Sequence, residues 1–175
     1  MYNKYSRYFG TGWQSKLTNK TRWFTIKRVS KLNTDIFENG LSYVSVGKIR
    51  PDIVESILEK YPEFTDILSC DEEILFWKDR IKHTQLHKKD FVSDEEYEFC
   101  FEQIPDIIRN PEFISIHPNK DSISFICRFT DNVSVAVRLS TNGGLAYRTM
   151  YPLRESQLNN YIKQGRAWKV WFDKF

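Results

Sequence analysis

The sequence is poor in cysteine and has no long apolar run. Its 175 residues include three cysteines, Cys70, Cys100 and Cys127, which are far apart and form no CxxC pair. An odd number of scattered cysteines with apolar neighbours predicts reduced core thiols in a cytoplasmic protein rather than a disulfide framework. The chain has no signal-peptide-like apolar segment and no stretch of roughly 18 apolar residues, so we expect neither secretion by a standard signal nor a membrane span.

Positive charge is concentrated at the start of the chain. The whole chain has a net charge of +3, whereas residues 1–50 contain ten Lys and Arg against Asp35 and Glu38, which gives +8 there and −5 for the remainder. This asymmetry suggests that the basic part has a polyanionic partner. Aromatic residues such as Tyr2, Tyr5 and Trp13 are interleaved with the cations, as in segments that stack on nucleobases. Since these aromatics have no clear period, a poorly ordered arm, or one whose aromatics dock on the domain, is the more common explanation.

Hydrophobic periodicity predicts an α+β fold in two parts. Residues 1–70 are interpreted as a basic, aromatic-rich N-terminal extension, with strands over residues 21–32 and 40–49 and a short helix over residues 51–61. Residues 71–175 are interpreted as the main domain. It begins with a strand over residues 73–77, followed by a helix from about residue 79. A second helix has Ser93 as its N-cap, with Glu96 completing a capping box, and Pro105 divides it.

After residue 121 the period changes from 3.6 to 2. Three strands joined by the turns "TDN" and "TNGG" predict an antiparallel meander with one apolar and one polar face, followed by a C-terminal helix over residues 154–168. We expect the preceding helices to pack on the apolar face of this meander.

The polar face of the predicted meander carries arginines and hydroxyl groups without a carboxylate. The middle strand contributes Ser134, Arg138 and Ser140, and the strand before it contributes Ser124 and Arg128. Guanidinium groups bind phosphate oxygens through two parallel hydrogen bonds, so the cluster indicates an anion site. An ordinary solvated face explains the same pattern equally well.

The last strand of the meander can be read in two ways. Tyr147, Thr149 and Tyr151 alternate on one side, whereas Arg148 and its neighbours at 146 and 150 alternate on the other. Periodicity alone leaves open which of the two sets joins the polar cluster.

Two histidines, His83 and His87, are four residues apart and share one face of a helix. A metal pair is one interpretation, but the chain has no HExxH motif to support it. An acid–base role is another, because histidine titrates near neutral pH. Two partly exposed helix residues without a function are the default interpretation, and His117, in a loop, is treated as incidental.

The order of these segments resembles a known family. "RIKHTQLH" is followed by "IPDIIRNPEFI", "DSISFICRF", "DNVSVAVRLS" and "YRTMYPL". Over roughly residues 74–169 this order is similar to the phage-associated branch of the barnase–EndoU–colicin–RelE-like nucleases. The resemblance implies helices followed by a four-stranded antiparallel sheet, as in RelE and barnase. It also implies metal-independent RNA cleavage without a cofactor, in which the ribose 2′-OH attacks the adjacent phosphate and leaves a 2′,3′-cyclic phosphate.

The resemblance also implies roles for particular residues. His83 matches the helix histidine of the family and is the first candidate for base or acid, and His87 is the second. Arg138 would bind the phosphate and stabilise the transition state. Arg148 and Thr149 match the "RT" of the last strand, and one of them would contact the phosphate while the other orients it. The further candidates are Tyr151, which would donate a hydrogen bond to the leaving oxygen, and the RNA-binding or supporting residues Arg128, Ser140, Lys82, Arg22, Lys27 and Arg28.

The leading hypothesis is a small endoribonuclease of phage or mobile-element origin, acting in the cytoplasm of a bacterial host on tRNA, mRNA or rRNA, as a toxin for example. It would require no metal and no cofactor, would not contact a membrane, and would have an acidic antitoxin or immunity protein as a partner. A catalytically inactive module that binds RNA or a partner protein is the alternative, because a fold does not fix a function. A metal-dependent DNase using His83 and His87 is the third hypothesis.

Overall fold

The computed structural model of the chain describes residues 26–140 and 144–170. The predicted strand over residues 21–32 and the "TNGG" turn fall partly outside these ranges. Gly144, the first described residue after the turn, has a φ of 97°, a conformation that favours glycine.

The described residues form seven strands and five α-helices, which confirms the α+β class. The strands are β1 (Tyr43–Lys48), β2 (Glu73–Trp77), β3 (Phe113–Ile116), β4 (Ser122–Arg128), β5 (Asn132–Leu139), β6 (Leu145–Leu153) and β7 (Ala167–Lys169). The helices are α1 (Pro51–Lys60), α2 (Arg80–Gln85), α3 (Asp94–Glu102), α4 (Ile104–Arg109) and α5 (Glu155–Lys163).

Local signals explain where the helices begin and end. Pro51 occupies the first turn of α1, where its missing N–H needs no partner. Ser93 accepts a hydrogen bond from the Glu96 N–H as predicted for an N-cap, but the Glu96 carboxylate accepts from the Val92 N–H rather than from Ser93. Pro105 lies in the first turn of α4, so the predicted division of the second helix is confirmed.

The strands form one mostly antiparallel sheet in the order β1-β2-β6-β5-β4-β3-β7, in which β2 and β6 are the parallel pair. The predicted meander is therefore β4-β5-β6 within a larger sheet. The C-terminal helix was predicted to reach residue 168, but α5 ends at Lys163 and Ala167–Lys169 pairs with β3 as β7. This segment pairs as a strand because the edge of β3 offers it unpaired backbone N–H and C=O groups.

One large apolar core joins the early and late parts of the chain. Its fully buried members include Leu32, Phe37 and Val44 before residue 71, and Phe76 and Phe125 after it. Residues before 71 thus share a sheet and a core with those after it, and the domain division at residue 70 stays a prediction.

A second, smaller cluster lies on the other face of the sheet. Ile126 and Leu153 alternate with core residues of β4 and β6, and they pack with Leu158 of α5 and with Ala167. Helix α5 therefore covers one end of the polar face and leaves the end near Arg138 open.

Candidate functional site

A β-bulge in β6 decides which residues join the polar face. Val137 pairs with Tyr147 and Val135 pairs with Met150, so β6 uses one more residue than β5 over the same distance. Tyr147 and Met150 are both buried in the core, and Arg148 and Thr149 both lie opposite Ala136 between them. The bulge thus presents two successive side chains on the polar face, which strict alternation does not allow.

Backbone pairing gives the order of side chains across this face. Leu75 pairs with Ala146, Ala146 with Arg138, and Arg138 with Ser122. In the next rows Ser124, Ala136 and Thr149 follow one another, and then Ile126, Ser134 and Tyr151. Arg148 and Thr149 are therefore diagonal neighbours of Arg138, and Tyr151 lies one row beyond Thr149 on the same surface.

We call the open end of this face the arginine groove. It encloses about 400 Å³, and its lining includes Trp77, Asp79, Arg80, Asp121, Arg138 and Arg148. Three guanidinium groups thus face one depression, which is the arrangement suited to a phosphate.

Two of the three arginines are already paired with carboxylates. Arg148 donates to Asp121 at 3.0 Å, and Arg80 contacts Asp79 at 3.2 Å. The expectation of a cluster without a carboxylate is wrong, because Asp121 precedes β4 and its side chain turns toward β6. Arg138 makes no hydrogen bond or ion pair with any residue of the described ranges. It is the arginine of this groove that remains available to an anion.

Asp121 connects several groups at the edge of the groove. It contacts His117 Nδ1 at 3.1 Å and Arg148 at 3.0 Å, and it accepts a hydrogen bond from the Ser122 hydroxyl. Partial burial alone would raise the pKa of Asp121, but the hydrogen bonds from Ser122 and Arg148 and the positive charge of Arg148 hold it below its usual value.

The predicted histidines lie beside β6, on α2 and immediately after it. The Thr84 hydroxyl is 2.8 Å from the Tyr147 hydroxyl inside the core, which fixes α2 against β6. Burial raises the pKa of Tyr147, so its hydroxyl stays protonated and serves as a hydrogen-bonding group. His83 is exposed on α2, and its ring centroid is 6.2 Å from that of His87.

His87 is the histidine that approaches the polar face. Its ring centroid is 6.1 Å from that of Tyr151, and its Nδ1 is 3.1 Å from the Asp90 carboxylate. This contact orients the ring, and in the tautomer that carries its proton on Nδ1 the ring donates to Asp90 and presents Nε2 as an acceptor. His87, Asp90, Tyr151 and Arg154 line a second depression of about 700 Å³, which we call the histidine groove.

The histidine groove is more acidic than the arginine groove, because Asp131 and Glu155 also line it. Of these, Glu155 binds Arg128 at 3.0 Å. Arg148 and Tyr151, which belong to the two grooves, are three residues apart on β6 and so at most about 10 Å apart along the strand. The structure thus brings His87 and Tyr151 to one end of the arginine cluster, while His83 lines neither groove.

Two buried hydroxyl groups lie between the grooves. The Ser134 and Thr149 hydroxyl oxygens have no hydrogen-bond partner among the described residues and are almost inaccessible. An unsatisfied buried hydroxyl costs about 1–3 kcal/mol, so such groups are typical of sites that receive a ligand or an ordered water.

The supporting candidates are spread over the molecule. Arg128 is bound to Glu155 and Asn132, and Arg28 is bound to Glu73 and borders a separate basic depression near Arg109. Lys82 and Lys27 are exposed, Ser140 follows β5 and is half-buried, and Arg22 lies outside the described residues. None of the five described residues lines either groove.

The sequence of the chain matches, over residues 52–160, the model of a family described as phage-Barnase-EndoU-ColicinE5/D-RelE like nuclease3. The chain belongs to this phage-associated nuclease family. The resemblance inferred from the sequence is thereby confirmed, and the match begins upstream of residue 74, in α1, and ends in α5. It includes both grooves up to Gln157. No curated protein and no solved structure was found to match the chain.

No three His, Cys, Asp or Glu side chains in residues 26–140 and 144–170 are arranged to hold a metal ion. No helix in the same ranges combines the length and apolar character needed to cross a bilayer.

Proposed function

We propose that the chain is an endoribonuclease that cleaves RNA without a metal ion by attack of the ribose 2′-OH on the adjacent phosphate. The observation that carries this proposal is the β6 bulge, which sets Arg148 and Thr149 beside Arg138 and leaves Tyr151 next to His87. Phosphate-binding groups and a proton-transfer group thus meet along one strand, as in-line phosphoryl chemistry requires.

The scissile phosphate would lie over Thr149, at the end of the arginine groove. Arg138 supplies the uncommitted positive charge for its non-bridging oxygens, and Arg148, held by Asp121, supplies a second, oriented guanidinium. The carboxylates of the histidine groove repel a phosphate, which favours binding on the arginine side.

His87 is proposed as the base. Its Nε2 takes the proton of the 2′-OH while the 2′-oxygen bonds to phosphorus. Tyr151 donates a hydrogen bond to the 5′-oxygen as the P–O5′ bond breaks, and that oxygen takes up a proton from solvent while the protonated His87 returns its proton to solvent. The products are a 2′,3′-cyclic phosphate and a 5′-hydroxyl. His83, the first candidate from the sequence, becomes a secondary group that contacts the His87 ring.

The experiment incubates end-labelled total RNA with the purified chain in EDTA, beside Arg138→Ala, His87→Ala and His83→Ala. Lys163→Ala, on the exposed end of α5, is the matched control. We expect a loss of about 10²–10³-fold for Arg138→Ala and about 10²–10⁴-fold for His87→Ala. Cyclic phosphate ends, which resist phosphatase until acid opens them, identify the chemistry.

Different outcomes select the alternatives. Intact RNA in every lane, with RNA or protein binding retained, supports an inactive binding module, which the ion pairs of Arg80 and Arg148 also favour because they leave fewer free cations. Cleavage of labelled DNA that EDTA abolishes supports the metal-dependent DNase.

We further propose that this ribonuclease activity serves as a phage toxin in the bacterial cytoplasm, with tRNA, mRNA or rRNA as the target. An inhibitor that covers the arginine groove would present carboxylates to Arg138, so we propose an acidic antitoxin as a partner. Proteins encoded next to this chain should bind it and block cleavage, and binding without inhibition contradicts this part of the proposal.

A further inference from the structure

Trp77 is a large aromatic side chain at the open end of the polar face. It is the last residue of β2, and 41% of its surface is exposed. Since Phe76 points into the core, alternation along β2 turns Trp77 outward on the same side as Leu75. The indole therefore lies on the face that carries Arg138.

The indole is supported from the side of β1. Tyr43 pairs with Trp77 across the two strands, and their ring centroids are 4.8 Å apart at an interplanar angle of 50°. An aromatic pair of this kind restrains the indole without covering its groove side.

Trp77 lines the arginine groove together with Arg138 and Arg148. On β6, between β2 and the Arg138 strand, Ala146 pairs with both Leu75 and Arg138 and contributes only a methyl group to the lining. The small residue leaves a depression between an aromatic wall and an uncommitted guanidinium.

This combination matches one class of ligand. A nucleobase stacks on an exposed aromatic ring while a neighbouring cation binds its phosphate, which is how unpaired strands are gripped without sequence readout. A base within a duplex has both faces covered by its neighbours and cannot use the ring. A duplex could use the arginines alone.

We propose that Trp77 is a stacking site for an unpaired nucleobase of the RNA substrate, with Arg138 holding the phosphate of the same or the adjacent nucleotide. The choice of RNA rests on the proposed function, but the site itself is defined by binding and not by cleavage. The substrate class is accordingly a single-stranded or looped RNA segment.

The test measures binding of a 2′-O-methyl single-stranded oligonucleotide, which this chemistry cannot cleave, by fluorescence anisotropy. We expect Trp77→Ala to weaken binding roughly 5- to 100-fold and Trp77→Phe to retain most of it. Phe99→Ala is the matched control, because Phe99 is 50% exposed on α3 and contacts Phe129 rather than either groove. The matching duplex should bind more weakly than the single strand and should be insensitive to Trp77→Ala.

An abasic nucleotide in the oligonucleotide provides a second test that does not depend on the folding of a variant. At the stacking position, the abasic nucleotide should lower the binding affinity as much as Trp77→Ala does. The abasic nucleotide and Trp77→Ala together should lower the affinity no more than either change alone. Binding by Trp77→Ala within twofold of the unaltered chain, or a duplex that binds as tightly as the single strand, overturns the stacking site. If the binding tests support stacking on Trp77 but the chain does not cleave RNA, only the proposed ribonuclease function is contradicted. The failure of the stacking site and the failure of the proposed function are therefore distinguishable.

Discussion

At the scale of single residues, the hydrogen bond between Thr84 and Tyr147 is what fixes α2, and with it the histidines, against the sheet. The Thr84 hydroxyl also contacts the Arg80 carbonyl oxygen at 2.9 Å, so it donates there and accepts from Tyr147. The pair is buried, so the loss of this hydrogen bond should measurably lower the free energy of unfolding.

We expect Tyr147→Phe and Thr84→Val each to lower the free energy of unfolding by about 1 kcal/mol, because each removes one partner of a buried hydrogen bond. The double variant should show a coupling energy of about 0.5–1.5 kcal/mol in a double-mutant cycle. Urea unfolding measures all three. Tyr43→Phe is the control, since the Tyr43 hydroxyl makes no hydrogen bond with the described residues, and additive effects of the two variants would contradict the assignment.

At the scale of elements, the bulge in β6 produces an arrangement of side chains that the sequence pattern could not predict. Two-residue alternation left Arg148 and Tyr151 on opposite sides, whereas the bulge brings them to the same side. The sequence shows only that Tyr147 and Met150 are large and three residues apart, and the structure shows that both are buried. No local rule distinguishes that spacing from a simple amphipathic strand, so the site had to be found from the register with β5.

For the other elements too, the success of prediction depended on whether the element is determined by local sequence or by pairing with distant segments. Residues with strong local signals were predicted correctly, such as Ser93 as an N-cap and Pro105 as a break. The strands β3 and β7 were missed because each is short and forms through pairing with distant segments. Asp121 and Asp90 were missed as partners of Arg148 and His87 for the same reason, since hydrogen bonds between loops and strands have no sequence period.

Deleting Arg148 should remove the bulge and force β6 into simple alternation. Tyr147 and Met150 then become two residues apart and both stay on the core face, so the deletion should cost little beyond the loss of the Arg148–Asp121 ion pair. Arg148→Ala keeps the bulge, and because the same ion pair is partly exposed, it should also cost at most about 1 kcal/mol. Thermal unfolding compares the two variants, and a deletion that costs several kcal/mol more than Arg148→Ala would contradict this register.

At the scale of the whole molecule, the basic early part and the later part are joined by several contacts. β1 pairs with β2, the Trp168 indole N–H donates to the Ser56 hydroxyl at 2.9 Å, and the Leu32 N–H donates to the Glu102 carbonyl. A sheet that lost β1 would expose the edge of β2, and a core that lost Leu32 and Phe37 would be open to water.

The full chain should therefore unfold in one cooperative transition by circular dichroism, and a fragment of residues 71–175 should show no sharp transition. A fragment of residues 26–175 retains every contact described above and should unfold cooperatively, which makes it the matched control. A sharp transition of the 71–175 fragment close to that of the full chain would instead support an independent domain after residue 70.

The result also bears on function, because Tyr43 on β1 supports the Trp77 ring. If the two parts unfold together, changes in the early part reach the arginine groove through the sheet, and the RNA affinity should fall with the stability of β1.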